Sequence, residues 1–370
     1  MVRLLIGCAA ITAGCYHPSP ATGVTCGADR VCPDPLICRP STMTCETSGD
    51  TIDAPVVDAI SPLDVHLQAS PGWTIRVLAD LTGAVPYNAN DFTDGVTTME
   101  VHDNAPNGIS ALYAPFTASF AVTAGRSIIE VSATGATMVH DYRPAVPDMM
   151  GPDNIYRLAF GAPADTGPNL WAGAASLNGG DGVYRIDETW TLKRDNVLNN
   201  ISGLSFDPAG VFDATTVPVI YFIDQAGFER RDTAGTHTLI SPGSSDHDDI
   251  AITKDAIYSA FYPMAGGAQL VRIASATHAV TTIDTATTAF DVAEGGPITE
   301  TGVLALRDET DLVTYADDGT SEVGAKTTDP DWHWRDVTRP QPPHPLAGTI
   351  VIVESNRTLD VDRLLVVTPP

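Results

Sequence analysis

The 370-residue sequence predicts an all-β fold, and three observations carry that prediction. With 28 prolines and 31 glycines the chain is punctuated too often for long helices, which leaves short elements joined by turns. From Trp73 onward, short apolar and β-branched runs alternate with clusters of Gly, Asp, Asn and Thr, the composition of strands and hairpin turns. Those runs are periodic. An acidic or amide residue precedes an aliphatic one at Asn154-Ile155, Asn200-Ile201, Asp249-Ile250, Asp291-Val292 and Asp336-Val337, in steps of 46, 49, 42 and 45 residues. Asn107-Gly108-Ile109 extends the series back, with Ile109 standing 46 residues before Ile155. Four short strands per unit at such a period describe a β-propeller, in which no blade buries its two faces alone and the stacked ring buries both. Six units fit between Ile109 and Pro370.

Taken in chain order, residues 1–15 read as an export signal. Met1, Val2 and Arg3 make a short basic start, and Leu4 to Gly14 run apolar and small up to Cys15. That run is too short to span a bilayer as a helix. Thr12-Ala13-Gly14-Cys15 resembles a bacterial lipobox, with Thr12 in place of the usual Leu. Leu5-Ile6-Gly7-Cys8 also fits the motif but leaves too short an apolar run, so Cys15 is the expected lipidation site. The resemblance implies a protein anchored to a membrane by lipid. Tyr16 rather than Asp after that cysteine implies an outer-membrane address in the cell envelope, periplasmic or surface-facing; plain secretion is the alternative.

Residues 16–46 hold Cys26, Cys32, Cys38 and Cys45, spaced C-x5-C-x5-C-x6-C. Structural zinc sites bring their cysteines in close C-x2-4-C pairs and often add histidine, and no histidine lies between these four. In an exported chain an even set of thiols is expected to form disulfides. Two bridges, at roughly 3 kcal/mol each, would define a segment too small to bury a core. Four cysteines allow three connectivities, and the spacing does not choose among them. Residues 47–72 follow with Asp50, Asp53, Asp58 and Asp64, no Lys or Arg, and Pro55, Pro62 and Pro71. Such a segment repels itself and stays extended, which predicts a linker.

Residues 73–370 carry the repeated units. In the third, VIYFID, FERRD and HTLIS (219–224, 228–232, 237–241) make two successive hairpins. VLAL, LVTY and TSEV match them in the fifth, and AIYSAFY, QLVRI and AVTTID in the fourth. SIIEV and GVYRID are third strands of the first and second units. The last unit offers only DVTRP, TIVIVES and RLLVVTP before the chain ends. GWTIRVLADL, around Trp73 to Leu81, looks like the fourth strands elsewhere, and pairing it with the last blade would close the ring and remove its exposed edges. A pair of β-sandwiches is the rival architecture. By period and strand order, 73–370 resembles six-bladed propellers of the NHL, YWTD and SMP-30 (gluconolactonase-like) kind.

In a propeller, the loops from one blade's outer strand to the next blade's inner strand meet around the central channel, where the recurrent Asn/Asp stands. Oxygen ligands of this type suit a hard cation such as Ca2+. The resemblance to SMP-30-like lactonases implies a channel metal, carried over to Asn154, Asn200 and Asp249, with no matching Glu or catalytic acid/base in view. The alternative is that these residues bond local backbone and shape the strand entry. Two stretches there stand out, SSDHDD (244–249) and DPDWHWRD (329–336). Trp332, His333 and Trp334 with Asp246, His247 and Asp248 set aromatic faces beside acids, a pairing that holds sugars or cationic ligands; packing of a Trp between blades is the alternative.

The balance of 46 acids against 20 bases gives a net charge of −26, which repels nucleic acid and anionic headgroups and excludes both as expected partners. No H-E-x-x-H, G-x-S-x-G, Walker loop or G-x-G-x-x-G occurs. The reading is therefore a lipid-anchored propeller that binds a small ligand, a glycan or a protein partner at its channel face. A metal-dependent hydrolase or lactonase is the alternative, since the fold hosts both.

Overall fold

A computed structural model describes residues 36–39, 44–47, 64–82, 108–142 and 154–370, short loop segments within the last two ranges excepted. The chain divides into two compact units, 1–63 and 64–370. In the first, strands β1 (Leu36–Arg39) and β2 (Thr44–Thr47) pair antiparallel, and their register sets Cys38 directly opposite Cys45. The lipidation site Cys15 and the cysteines Cys26 and Cys32 lie outside the described residues.

The second unit is a six-bladed β-propeller. It opens with β3 (Leu67–Ala69) and β4 (Thr74–Asp80). The first blade is β5 (Gly108–Ala114), β6 (Thr117–Ala124), β7 (Ser127–Ser132) and β8 (Thr137–Asp141). Blade 2 is β9 (Asn154–Gly161), β10 (Asn169–Ala175), β11 (Gly182–Ile186) and β12 (Leu192–Asn196). Blade 3 is β13 (Gly203–Asp207), β14 (Val219–Asp224), β15 (Gly227–Arg231) and β16 (His237–Ser241). Blade 4 is β17 (His247–Ile252), β18 (Ala256–Phe261), β19 (Gln269–Ala274) and β20 (Val280–Thr285). Blade 5 is β21 (Phe290–Val292), β22 (Val303–Arg307), β23 (Asp311–Tyr315) and β24 (Ser321–Thr327); blade 6 is β25 (His333–Thr338), β26 (Ile350–Asn356) and β27 (Val361–Thr368).

The ring closes as the sequence predicts, with β4 pairing antiparallel to β27 from Thr74↔Thr368 to Asp80↔Arg363 as the fourth strand of blade 6. A register shift recurs between the third and fourth strands of blades 2 to 6, and β4 shares it. One element differs from expectation. The compact body begins at Asp64 and not at Trp73, because Leu67–Ala69 leaves the linker and adds a fifth strand to the edge of blade 5.

Two-faced burial explains why runs such as VIYFI and IVIV are continuously apolar. Alternate residues of a strand face opposite neighbours: Phe120 and Val122 pack against Val351 and Val353 of blade 6, while Ala121 packs with Ile155 and Leu158 of blade 2. Six such cores fill the six junctions between consecutive blades. The aliphatic half of the repeat belongs to them. Ile155, Ile201, Ile250, Val292 and Val337 are fully buried, each in the core its blade shares with the preceding one. Gly173 makes room for one of them, since a Cβ there would stand 2.5 Å from Ile201 Cγ2.

Candidate functional site

Three aspartates of the repeat, Asp249, Asp291 and Asp336, turn to the channel and meet an arginine that belongs to no motif. Arg157, buried on the inner strand β9, points each of its three guanidinium nitrogens at a different carboxylate. Nη2 donates to Asp291 Oδ1 at 3.3 Å, Nε lies 3.6 Å from Asp249 Oδ1, and Nη1 lies 3.7 Å from Asp336 Oδ2. These three aspartates stand on the inner strands of blades 4, 5 and 6. Blades 2 and 5 are diametrically opposite in a six-membered ring, so the Arg157–Asp291 contact crosses its axis.

Local backbone fixes two of the aspartates. Asp249 Oδ1 accepts the amide of Ile250 at 2.9 Å, and Asp336 Oδ1 accepts that of Val337 at 2.7 Å. The Asp-aliphatic pair thus shapes its own strand entry, while the aliphatic side chain drops into the inter-blade core. Asp249 Oδ2 also accepts the Val292 amide at 2.9 Å, tying blade 4 to blade 5. Register shifts at Trp334/Asp336 and His247/Ile250 place the extra residues of a bulge at these points, the usual device for re-aiming a side chain.

Of the residues predicted to bind metal, Asp249 is placed as described; Asn154 starts β9 with its side chain outside the described atoms, and Asn200 lies outside the described residues. Asp249 does not fit a Ca2+ ligand well. Both its oxygens already accept backbone amides, and the adjoining position is held by a positive guanidinium rather than left to a cation. Among the described residues, no three His, Cys, Asp or Glu side chains are grouped to hold a metal ion.

The two stretches predicted to bind ligand begin inner strands of blades 4 and 6, and the structure spends their rings inside the protein. Trp332 is 3% exposed, stacked on His66 with centroids 4.1 Å apart, and carries the Arg363 guanidinium 4.4 Å from its ring centre. Trp334 is fully buried and donates Nε1–H to Glu354 Oε1 at 3.0 Å. These tryptophans therefore correct the expectation of an aromatic platform: they pack the seam between blades 5 and 6. His247 is buried against Phe228 and Phe261, with Nδ1 3.1 Å from Ser259 Oγ. Asp246 lies outside the described residues, as does the side chain of Asp248.

Among the described residues of the set, His333 alone is part-exposed. Its Nδ1 stands 2.6 Å from Glu309 Oε2, and Glu309 Oε1 accepts from Arg335 Nη1 at 3.0 Å. Glu309 sits with Asp308 at positive φ (58° and 55°) in the β22–β23 turn, a conformation uncommon outside glycine. This turn and the start of β25 share the face on which the inner strands begin.

The class defined here is a six-bladed β-propeller with a charged, arginine-centred channel. No family model matches the sequence, and no curated protein matches it. Solved structures match its shape. A putative gluconolactonase aligns with TM-score 0.50 at 12% identity, covering 83% of this chain and 95% of that one. A glucose dehydrogenase aligns with TM-score 0.50 at 12% identity over 79% and 98%, respectively. An auxiliary nutrient binding protein from Bacteroides thetaiotaomicron aligns with TM-score 0.50 at 8% identity over 81% and 76%. At such identities the likeness is one of fold.

Proposed function

We propose that the protein is a binding module that takes a small polar ligand, a glycan or a protein partner at its channel face. The supporting observation is the convergence of Arg157, Asp249, Asp291 and Asp336 from four blades. Fixed N–H donors beside carboxylate acceptors are the pairing that hydroxyl-rich, uncharged molecules use, and converging polar groups in a concave site are the usual mark of a ligand pocket. A thermal-shift screen of the purified protein against neutral sugars, aldonolactones and short glycans should return a stabiliser whose effect Asp291→Ala removes. No stabiliser among them would count against the reading. Turnover of a lactone would favour the metal-dependent hydrolase instead, for which the gluconolactonase neighbour supplies fold alone and Asp249 supplies a poor ligand.

The same reading places the protein in a cell envelope, exported and lipid-anchored at Cys15, with a disulfide-bonded base. The β1–β2 register supports a Cys38–Cys45 bridge, because directly opposed residues of an antiparallel pair stand within the Cα separation a disulfide requires. Cys26 and Cys32 would then form the second bridge. Mass spectrometry of protein recovered from membranes should find Cys15 as a lipid-modified N-terminus and a non-reduced Cys38–Cys45 peptide; an unmodified residue 15 or free thiols would sink this part.

A further inference from the structure

We infer that Arg157 is the channel's own counter-cation, a side chain doing the electrostatic work that a bound divalent ion would do in a ring of oxygen ligands. Three largely buried carboxylates from three blades converge on one guanidinium, and an opposite charge between them offsets the repulsion that like charges feel when withdrawn from solvent. The guanidinium is planar with five N–H donors, and here its three nitrogens divide themselves among Asp249, Asp291 and Asp336. A calcium ion would draw oxygens to about 2.3–2.6 Å and take six to eight of them. The observed separations of 3.3–3.7 Å, one of them a hydrogen bond, match a guanidinium that fills the centre of a wider ring.

Arg157 pairs in register with Gly173, and a Cβ there would meet Arg157 Cβ only at an ordinary 3.7 Å, so that glycine serves Ile201 and not the arginine. The register shift between Gly173 and Ala174 lets Ile155 and Leu158 both face the core while Arg157 faces the channel. Removal of the guanidinium would leave Asp249, Asp291 and Asp336 turned toward one another without this cation between them.

The inference concerns the charge balance of the ring and stands apart from the binding reading, since it is tested on the ligand-free protein by ions alone. Thermal melts would be run on wild type, Arg157→Ala and Arg157→Lys in EDTA, in 5 mM Ca2+ and in methylguanidinium, with Na+ at matched ionic strength as control. The wild-type Tm should be unchanged between EDTA and Ca2+. Arg157→Ala should melt roughly 4–8 °C lower in EDTA and regain part of that loss with methylguanidinium. Arg157→Lys, which keeps the charge and loses the fork, should melt between the two and ignore Ca2+. A wild type stabilised by Ca2+ beyond the Na+ control, or purified with a stoichiometric divalent metal, would overturn the inference. So would an Arg157→Ala protein that melts with the wild type, or one destabilised but indifferent to methylguanidinium. If Arg157→Ala does not fold, the Lys variant decides: a Ca2+ response from it also overturns the inference.

Discussion

At the seam between blades 5 and 6, Arg363 Nε donates to Glu354 Oε2 at 3.0 Å and Nη2 joins the same oxygen, while His66 Nε2 lies 2.9 Å and Trp334 Nε1 3.0 Å from Glu354 Oε1. Asp64 takes Arg363 Nη1. On the ring axis, Arg157 is no nearer than 3.3 Å to any of its three aspartates. Both arginines are buried among acids, but the first cluster is tight and adjacent in the fold, and the second is wide and drawn from across the ring. A buried charge is tolerated when its hydrogen bonds are made, and a network of short bonds fixes one geometry. The seam network therefore pins the strap from Asp64 to β4, which is where the ring closes. The channel cluster is wider, with one hydrogen bond at 3.3 Å and two ion pairs at 3.6 and 3.7 Å drawn from three different blades.

Breaking the seam should cost the most. Glu354→Ala removes the acceptor shared by Arg363, His66 and Trp334 in a fully buried position, and orphaning a buried charge costs about 3–5 kcal/mol. The expected outcome is a fall in Tm of roughly 10–15 °C. Limited proteolysis should cut first near Asp64–Ser70, since His66 loses its anchor; cleavage elsewhere with the strap intact would break the comparison. The Arg157→Ala loss should be smaller, because two of its three partners, Asp249 and Asp336, are also held by the amides of Ile250 and Val337. If the two losses came out equal, tightness would not be what separates a staple from a site.

The fold was largely legible because its signal is periodic. An Asp or Asn with a nearby aliphatic recurs once per blade in the sequence, so the period survives where single strands are ambiguous. Strand assignments such as 219–224 and 237–241 match the structure to the residue. The β3 strand escaped notice because three residues, LQA, carry no apolar alternation and owe their conformation to the edge of β24. The site was half legible. Asp249, Asp291 and Asp336 were visible as a series, but Arg157, Glu354 and Arg363 occur once each and belong to no motif. A signal for them does exist: a charge set inside or at the edge of an apolar run, as in NIYRLAFG, IVIVESN and VDRLLVVT, has to find a partner when buried. Trp332 and Trp334 misled for the opposite reason, since an aromatic beside acids looks the same in sequence whether it faces solvent or a seam.

The weakest expected effect lies at the ring's outer edge, where blades 4 and 5 are joined by Asp284 of β20. Its Oδ2 accepts the Tyr315 hydroxyl at 2.7 Å and Arg307 Nη1 at 3.2 Å. Burial favours the protonated carboxyl, but the Tyr315 hydroxyl, the Thr285 amide and Arg307 together outweigh it and hold the Asp284 carboxyl below its ordinary value of 3.8. A carboxylate with a depressed folded-state pKa adds stability that is fully present above the unfolded value and is lost as pH falls through the lower, folded one. The link therefore contributes unchanged from neutral pH down to about pH 4 and fades below it. Because the group is part-exposed, solvent screening keeps the gain to about 1 kcal/mol or less. Asp284→Asn should melt a few degrees below wild type at pH 7, by about 1–3 °C. The two curves should converge as pH drops below 3.8. A gap that stayed constant into acid would mean that Asp284 acts through shape rather than charge, and would place this edge link with the seam rather than with the channel.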